Sequence, residues 1–204
     1  EWRPLHFFAQ EQVEYYHGLA RQAGIPGRYL SSSWRDLHII DTEQRQVLQG
    51  ILEYAKSFAD MHQSGISMAW LGQPGTGKTM LASILVNHLL RGGWRVLLTD
   101  WAEVVMSLRD AERYDAERTR SRIYADLLQP DLLIFDEIEA DTDRKARQDM
   151  QRIVDKRYKE ALPFILVGNL DLTELQHAVG DRVLSRVRQG GGGIVEFTWG
   201  DLRK

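Results

Sequence analysis

Residues Gly72, Gln73, Pro74, Gly75, Thr76, Gly77, Lys78 and Thr79 fit the pattern G-x-x-x-x-G-K-[ST]. Such a loop does anion chemistry: its glycines let successive backbone N–H groups converge on one phosphate at a helix start. Lys78 would neutralise the β and γ phosphates, and the Thr79 hydroxyl would ligate Mg2+. With Met80, the next residue into the helix, these positions make the expected ATP-binding set. A second group, Asp136 and Glu137, ends the apolar run Leu132-Leu133-Ile134-Phe135. Carboxylates beside a buried strand are costly unless a cation or a proton transfer needs them. Asp136 would hold Mg2+, directly or through water, and Glu137 would polarise the water that attacks the γ-phosphate. Asn169 follows another apolar run and can orient that water, although asparagine is also an ordinary strand-end residue. Arg182 and Arg186 are spaced to share one helix face.

The elements that position these groups follow from periodicity. Residues 66–71 read as a buried strand and residues 79–90 as the helix behind the loop. A second strand over residues 95–99 exits at Asp100-Trp101, at the carboxyl end where α/β sheets place ligands. Residues 102–128 read as two helices broken near Tyr114-Asp115, and residues 131–137 as the acidic strand. The next helix, residues 143–160, is expected to bury Met150, Ile153, Val154 and Tyr158. Its other face carries Arg144, Lys145, Arg147, Arg152, Lys156, Arg157 and Lys159, a solvated surface or a nucleic-acid site. A strand over residues 163–167, a helix over 171–179, the arginine helix and a last strand over 194–197 complete the order. Ahead of them, a helix from Asp41 or Thr42 to about His62 is expected to bury Val47, Leu48, Ile51, Leu52, Ala55 and Phe58. Residues 1–41 carry a short helix around residues 9–23 and many aromatics. They read as a strap packed on the main domain, with Ile25 to Tyr29 alternatively walling the nucleotide's base.

The 204 residues suit one α/β domain, residues 42–204, with that appendage. The chain begins at Glu1 rather than Met, so an upstream segment is expected. A net charge of −3 gives no global pull toward nucleic acid or membrane, so any such site is local. The absence of cysteine excludes disulfides, cysteine-ligated zinc and thiol catalysis, and fits a reducing cytosol. No apolar run approaches the ~18 residues of a membrane span and no signal peptide is visible, so a cytoplasmic protein without membrane contact is expected.

In this order the elements resemble an AAA+ ATPase core. Ile25-Pro26 with a following aromatic, the acidic strand, Gly180-Asp181-Arg182-Val183-Leu184-Ser185-Arg186 and the closing Trp199 to Arg203 are similar to the DnaC-type replicative helicase loaders. The related IstB-type transposon ATP-binding helpers share most of this. The resemblance covers roughly residues 24–204 and implies an α/β P-loop NTPase fold: a mostly parallel five-stranded sheet between helices, without a sizeable carboxyl-terminal lid. It implies sensor-1 for Asn169, an arginine finger for Arg186 with Arg182 as its neighbour, and sensor-2 for Arg203. It also implies ATP hydrolysis at subunit interfaces within a ring or helical assembly. Single-stranded DNA would bind residues 101–128, with Trp101 among the contacts, and a replicative helicase would be the partner. Loaders carry a separate helicase-binding domain at the amino end, of which residues 1–41 would be a remnant. A transposition helper, a nucleotide-gated DNA-binding switch with little turnover, and a small-molecule kinase are the competing readings. The kinase has no acceptor-binding motif to support it.

Overall fold

The computed structural model describes residues 5–113 and 118–203. Strands that are apolar on both faces need helices on both sides, and the chain supplies them. Five strands, β1 (Met68–Gly72), β2 (Val96–Asp100), β3 (Leu132–Ile138), β4 (Phe164–Gly168) and β5 (Gly193–Phe197), form one sheet in the order β2-β3-β4-β1-β5. Every neighbouring pair is parallel. The expected mostly parallel sheet is therefore observed, and the strand order reverses beside β1, where such sheets open a crevice at their carboxyl ends.

One face is covered by α1 (Leu5–Gln22), α2 (Thr42–Lys56), α3 (Phe58–Gln63) and α4 (Lys78–Arg91), packed around Ile51, Phe58, Trp70 and Leu85. The other is covered by α5 (Trp101–Asp110), α6 (Arg120–Leu128), α7 (Arg144–Lys159), α8 (Leu172–Val179) and α9 (Asp181–Arg188), around Phe135, Ile153, Leu166 and Val183. After β5, residues 198–203 carry no further helix. Among the described residues no helix is long and apolar enough to cross a membrane.

Residues 20–30 belong to the α4-side core: Ala20, Ala23, Ile25 and Leu30 are buried, and the Leu98 N–H donates to the Ala23 carbonyl at 2.8 Å. Gly24 permits that approach, because a Cβ there would lie 1.8 Å from the Leu98 oxygen. Asn87 of α4 clamps the next segment, its Nδ2 donating to the carbonyls of Tyr29, Leu30 and Ser32.

The structure differs from expectation in four local respects. The helix over residues 42–62 is broken at Ser57, whose hydroxyl donates to the Glu53 carbonyl and competes with the helical ladder. Within α2, Tyr54 is buried and Leu52 only half-buried, the Tyr54 hydroxyl donating to the Ile66 carbonyl. In the last turns of α7 the inward residue is Arg157, fully buried, while Tyr158 is 37% exposed. Arg157 is drawn in by the carbonyls of Leu127, Pro130 and Pro163, which its guanidinium satisfies where α6, β3 and β4 meet. Burial pulls its pKa down to about 9, so it stays charged at neutral pH. Finally, Trp101 is buried against Phe135 at a ring distance of 5.1 Å. A core tryptophan offers no stacking face, so it is not a DNA contact. The break expected near Tyr114-Asp115 lies outside the described residues.

Candidate active site

The glycine loop joins the end of β1 to the start of α4, its turns made possible by Gly72, Gly75 and Gly77 at positive φ. Gly77 is the residue before the helix, with φ 90°. Lys78 is 5% exposed, and its amine donates to the carbonyls of Gly72 and Gln73, both at 2.8 Å. It also lies 3.2 Å from the Thr76 hydroxyl. Burial lowers the Lys78 pKa, and the charges of Asp136 and Glu137 oppose that shift. An ammonium seated on loop carbonyls beside two acids is poised to trade those carbonyls for phosphate oxygens.

The acids come from β3, where the ladder with β4 is irregular between Phe135 and Ile138. A bulge there lifts Asp136 and Glu137 out of simple alternation and re-aims both side chains. Glu137 holds φ 54°, which costs a non-glycine residue about 1–2 kcal/mol. Strain of this kind persists where the surroundings over-determine it, commonly at functional positions. Asp136 is 8% exposed; burial raises its pKa, opposed by hydrogen bonds from the Glu137 N–H and the Thr79 hydroxyl. Glu137 opens to solvent, and its pKa is raised first by partial desolvation, then by the charges of Asp136 and Asp100. Asn169, just past β4, donates from Nδ2 to Glu137 Oε2 at 3.3 Å. Loop, acids and asparagine thus converge at the carboxyl ends of β1, β3 and β4.

Asp100 is a third carboxylate at this edge that sequence reasoning left without a role. It sits in register with Asp136 across β2 and β3 and caps α5, accepting from the Ala102 N–H at 2.7 Å. Its place at a strand's carboxyl end was the available signal; adjacency to Asp136 required the strand order. A cavity of about 160 Å3 opens beside Glu137, lined by Trp101, Met106 and Arg109 of α5 and by Asp143 before α7.

The closing segment lies across the phosphate loop. Trp199 Nε1 donates to the Thr76 carbonyl and the Leu202 N–H to the Gly75 carbonyl, both at 2.9 Å. A Cβ at Gly75 would fall 2.2 Å from the Asp201 carboxyl carbon. Arg203 therefore stands at the loop's rim, paired with Asp201 at 2.7 Å. Arg182 and Arg186 are placed elsewhere: both meet α7 near its carboxyl end, at Asp155. That end leads into the amino end of β4, so neither arginine is brought to this chain's own loop.

Among the described residues no group of three or more His, Asp or Glu side chains could hold a metal alone. Thr79 and Asp136 fit a Mg2+ that takes its remaining ligands from phosphate and water. Four arginines near α5 and α6 are engaged by acids: Arg109 by Asp143, Arg118 and Arg122 by Asp126, and Arg120 by Asp149 and Glu112.

Comparison with known proteins bears on the family and the fold. The replicative helicase loader DnaC of Buchnera aphidicola subsp. Baizongia pistaciae is 30% identical over 184 residues, 90% of this chain and 74% of that protein. DnaC of Escherichia coli strain K12 is 29% identical over 183 residues, 89% and 73% of the two chains. The crystal structure of the DnaC helicase loader matches with TM-score 0.72 at 19% identity, covering 84% of this chain and 99% of that one. The crystal structure of DnaI matches with TM-score 0.70 at 18% identity, covering 90% and 100%. These structural likenesses establish the fold. The profile described as IstB-like ATP binding protein matches residues 31–187, taking in the phosphate loop, the acidic strand and nearly all of α9. The chain belongs to the family of IstB-like ATP binding proteins.

Proposed function

We propose that this chain is an ATP-dependent DNA replication protein that assembles on single-stranded DNA and loads a replicative helicase. The observation that carries the enzymatic part is the convergence of Lys78, Asp136, Glu137 and Asn169 on one loop. Residues 72–80 bind the triphosphate, with Lys78 moving from the loop carbonyls to the β and γ phosphates. Thr79 and Asp136 would hold Mg2+, which when bound would supply charge neutralisation on the phosphates. Glu137 takes the proton of the attacking water, and its raised pKa brings it closer to the operating pH. Asn169 holds the Glu137 carboxylate in place. Arg203 senses the γ-phosphate by exchanging its bond to Asp201 for one to the phosphate. Arg186 faces away from its own loop and serves the nucleotide of a neighbour, which makes a ring or helical assembly part of the mechanism.

The loader role is supported by the relatives named as replicative helicase loaders. Single-stranded DNA is assigned to the α5–α6 side, whose arginines exchange acidic partners for phosphates on binding, so affinity falls steeply with salt. The test is loading of the cognate helicase onto single-stranded circles by the full-length protein. ATP-dependent loading is expected; a protein that neither bound the helicase nor changed its loading would sink the proposal. The family profile favours one second reading, a helper of DNA transposition. Under it, a transposase rather than a helicase would be recruited to DNA in the presence of ATP.

A further inference from the structure

Arg186 is held in an unusual way. Its guanidinium carbon lies 3.9 Å from the ring centre of Tyr158, and its Nε is 3.8 Å from Asp155 Oδ1. That separation is too long for a hydrogen bond, and Arg186 Nε is buried without one among the described residues. Asp155 is instead spent on Arg182, which takes its two oxygens at 3.0 and 2.7 Å. One terminal nitrogen of Arg186 reaches Gln189 Oε1 at 3.2 Å, and the side chain remains 27% exposed. The helix beneath is fixed, since Val183, Leu184 and Val187 are buried.

A surface ion pair would normally take the fork of an arginine face-on with a carboxylate. Here the acid is turned to the neighbouring arginine, and Arg186 is left stacked on an aromatic face that α7 exposes. Stacking fixes the plane and direction of a guanidinium without consuming its donors. Arginine carries roughly 2 kcal/mol of rotamer entropy, so an arginine that acts only in a transition state gains from being oriented beforehand.

We infer that Asp155 and Tyr158 form a cradle that positions Arg186 for a neighbouring subunit's nucleotide, and that Arg182 orients Asp155 rather than touching nucleotide. This rests on the proposed reading of Arg186 as a finger in trans. The face formed by α7 and α9 is then the finger side of the subunit junction, and its ligand is the γ-phosphate of ATP held on a second copy of this chain.

The experiment measures ATP turnover of the full chain with single-stranded DNA, at concentrations where subunits assemble, with assembly followed by sedimentation. Tyr158→Leu keeps apolar bulk but removes the ring, and its kcat is expected to fall about 10- to 100-fold with KM for ATP and assembly unchanged. Tyr158→Phe keeps the ring and is expected to keep turnover within about twofold of the original, since the ring face and not the hydroxyl is used. Arg182→Gln is expected to lower kcat less than Arg186→Ala does, again without weakening ATP binding. A Tyr158→Leu protein with full turnover, or one that loses ATP binding or assembly in parallel, overturns the cradle. An Arg186→Ala protein with full turnover overturns the finger itself, so the two failures are distinguishable.

Discussion

Replacing Glu137 with glutamine removes one oxygen's charge and leaves the shape of the side chain almost unchanged. The Asn169 contact at 3.3 Å survives, because the new amide can present its oxygen to Asn169 Nδ2. What is lost is the base. General-base catalysis is worth ~10²–10⁴ in rate, so kcat should drop at least about 100-fold, equivalent to roughly 2.7 kcal/mol of barrier. Binding should move the other way. Partial desolvation first, and then the charges of Asp136 and Asp100, raise the Glu137 pKa, which means the site resists a further negative charge. Removing one carboxylate should leave ATP affinity equal or improved. Stability follows the same sign. A carboxyl whose folded pKa lies above its unfolded value stabilises the fold below the unfolded pKa and loses that contribution as pH rises through the folded one. At neutral pH the glutamine protein should therefore melt at the same temperature as the original or slightly higher. Phosphate release at saturating Mg-ATP, a nucleotide titration and a thermal melt test all three. Turnover within about threefold of the original would refute the assignment of Glu137 as the base. So would loss of ATP binding in step with turnover.

Lys78→Ala should abolish nucleotide binding by titration, since nothing else at the loop replaces the ammonium seated at 2.8 Å from two loop carbonyls. Arg186→Ala should leave ATP binding intact at dilution, and in assembled protein should cut turnover by about 10³-fold or more. The acid limb of the kcat–pH profile should lie above 4.5, the ordinary glutamate value, because desolvation, Asp136 and Asp100 favour the protonated form of Glu137. Asp100→Asn should move that limb downward. Trp199→Phe strands the Thr76 carbonyl within the loop, which should cost about 1–3 kcal/mol in urea unfolding and weaken ATP binding together.

The parts of the site visible in the chain were those whose chemistry is compressed into adjacent residues. Gly72 to Thr79 and Asp136-Glu137 each carry strand, turn and functional group in one short run, so local pattern sufficed. Asn169 was legible for the same reason, as the polar residue after a buried strand. Groups whose meaning depends on distant partners were not. Arg157 reads as one more basic residue of an outer face until the carbonyls of Leu127, Pro130 and Pro163 are brought to it. Turning Arg157 inward also turns Tyr158 outward, where Arg186 finds it. Asp100 gained its place from the pairing of β2 with β3, and Trp101 lost a DNA role once Phe135 was seen against it. The break at Ser57 depended on a hydroxyl choosing a carbonyl of its own helix.

In the proposed mechanism the nucleotide of one copy is completed by Arg186 of another. Mixing Lys78→Ala subunits with Arg186→Ala subunits tests it most directly, because each protein alone lacks one half of every junction. Random assembly of equal amounts should restore about a quarter of the original turnover, at junctions where an intact loop meets an intact arginine. A mixture no more active than the two proteins measured apart would mean that Arg186 does not act on a neighbour's nucleotide.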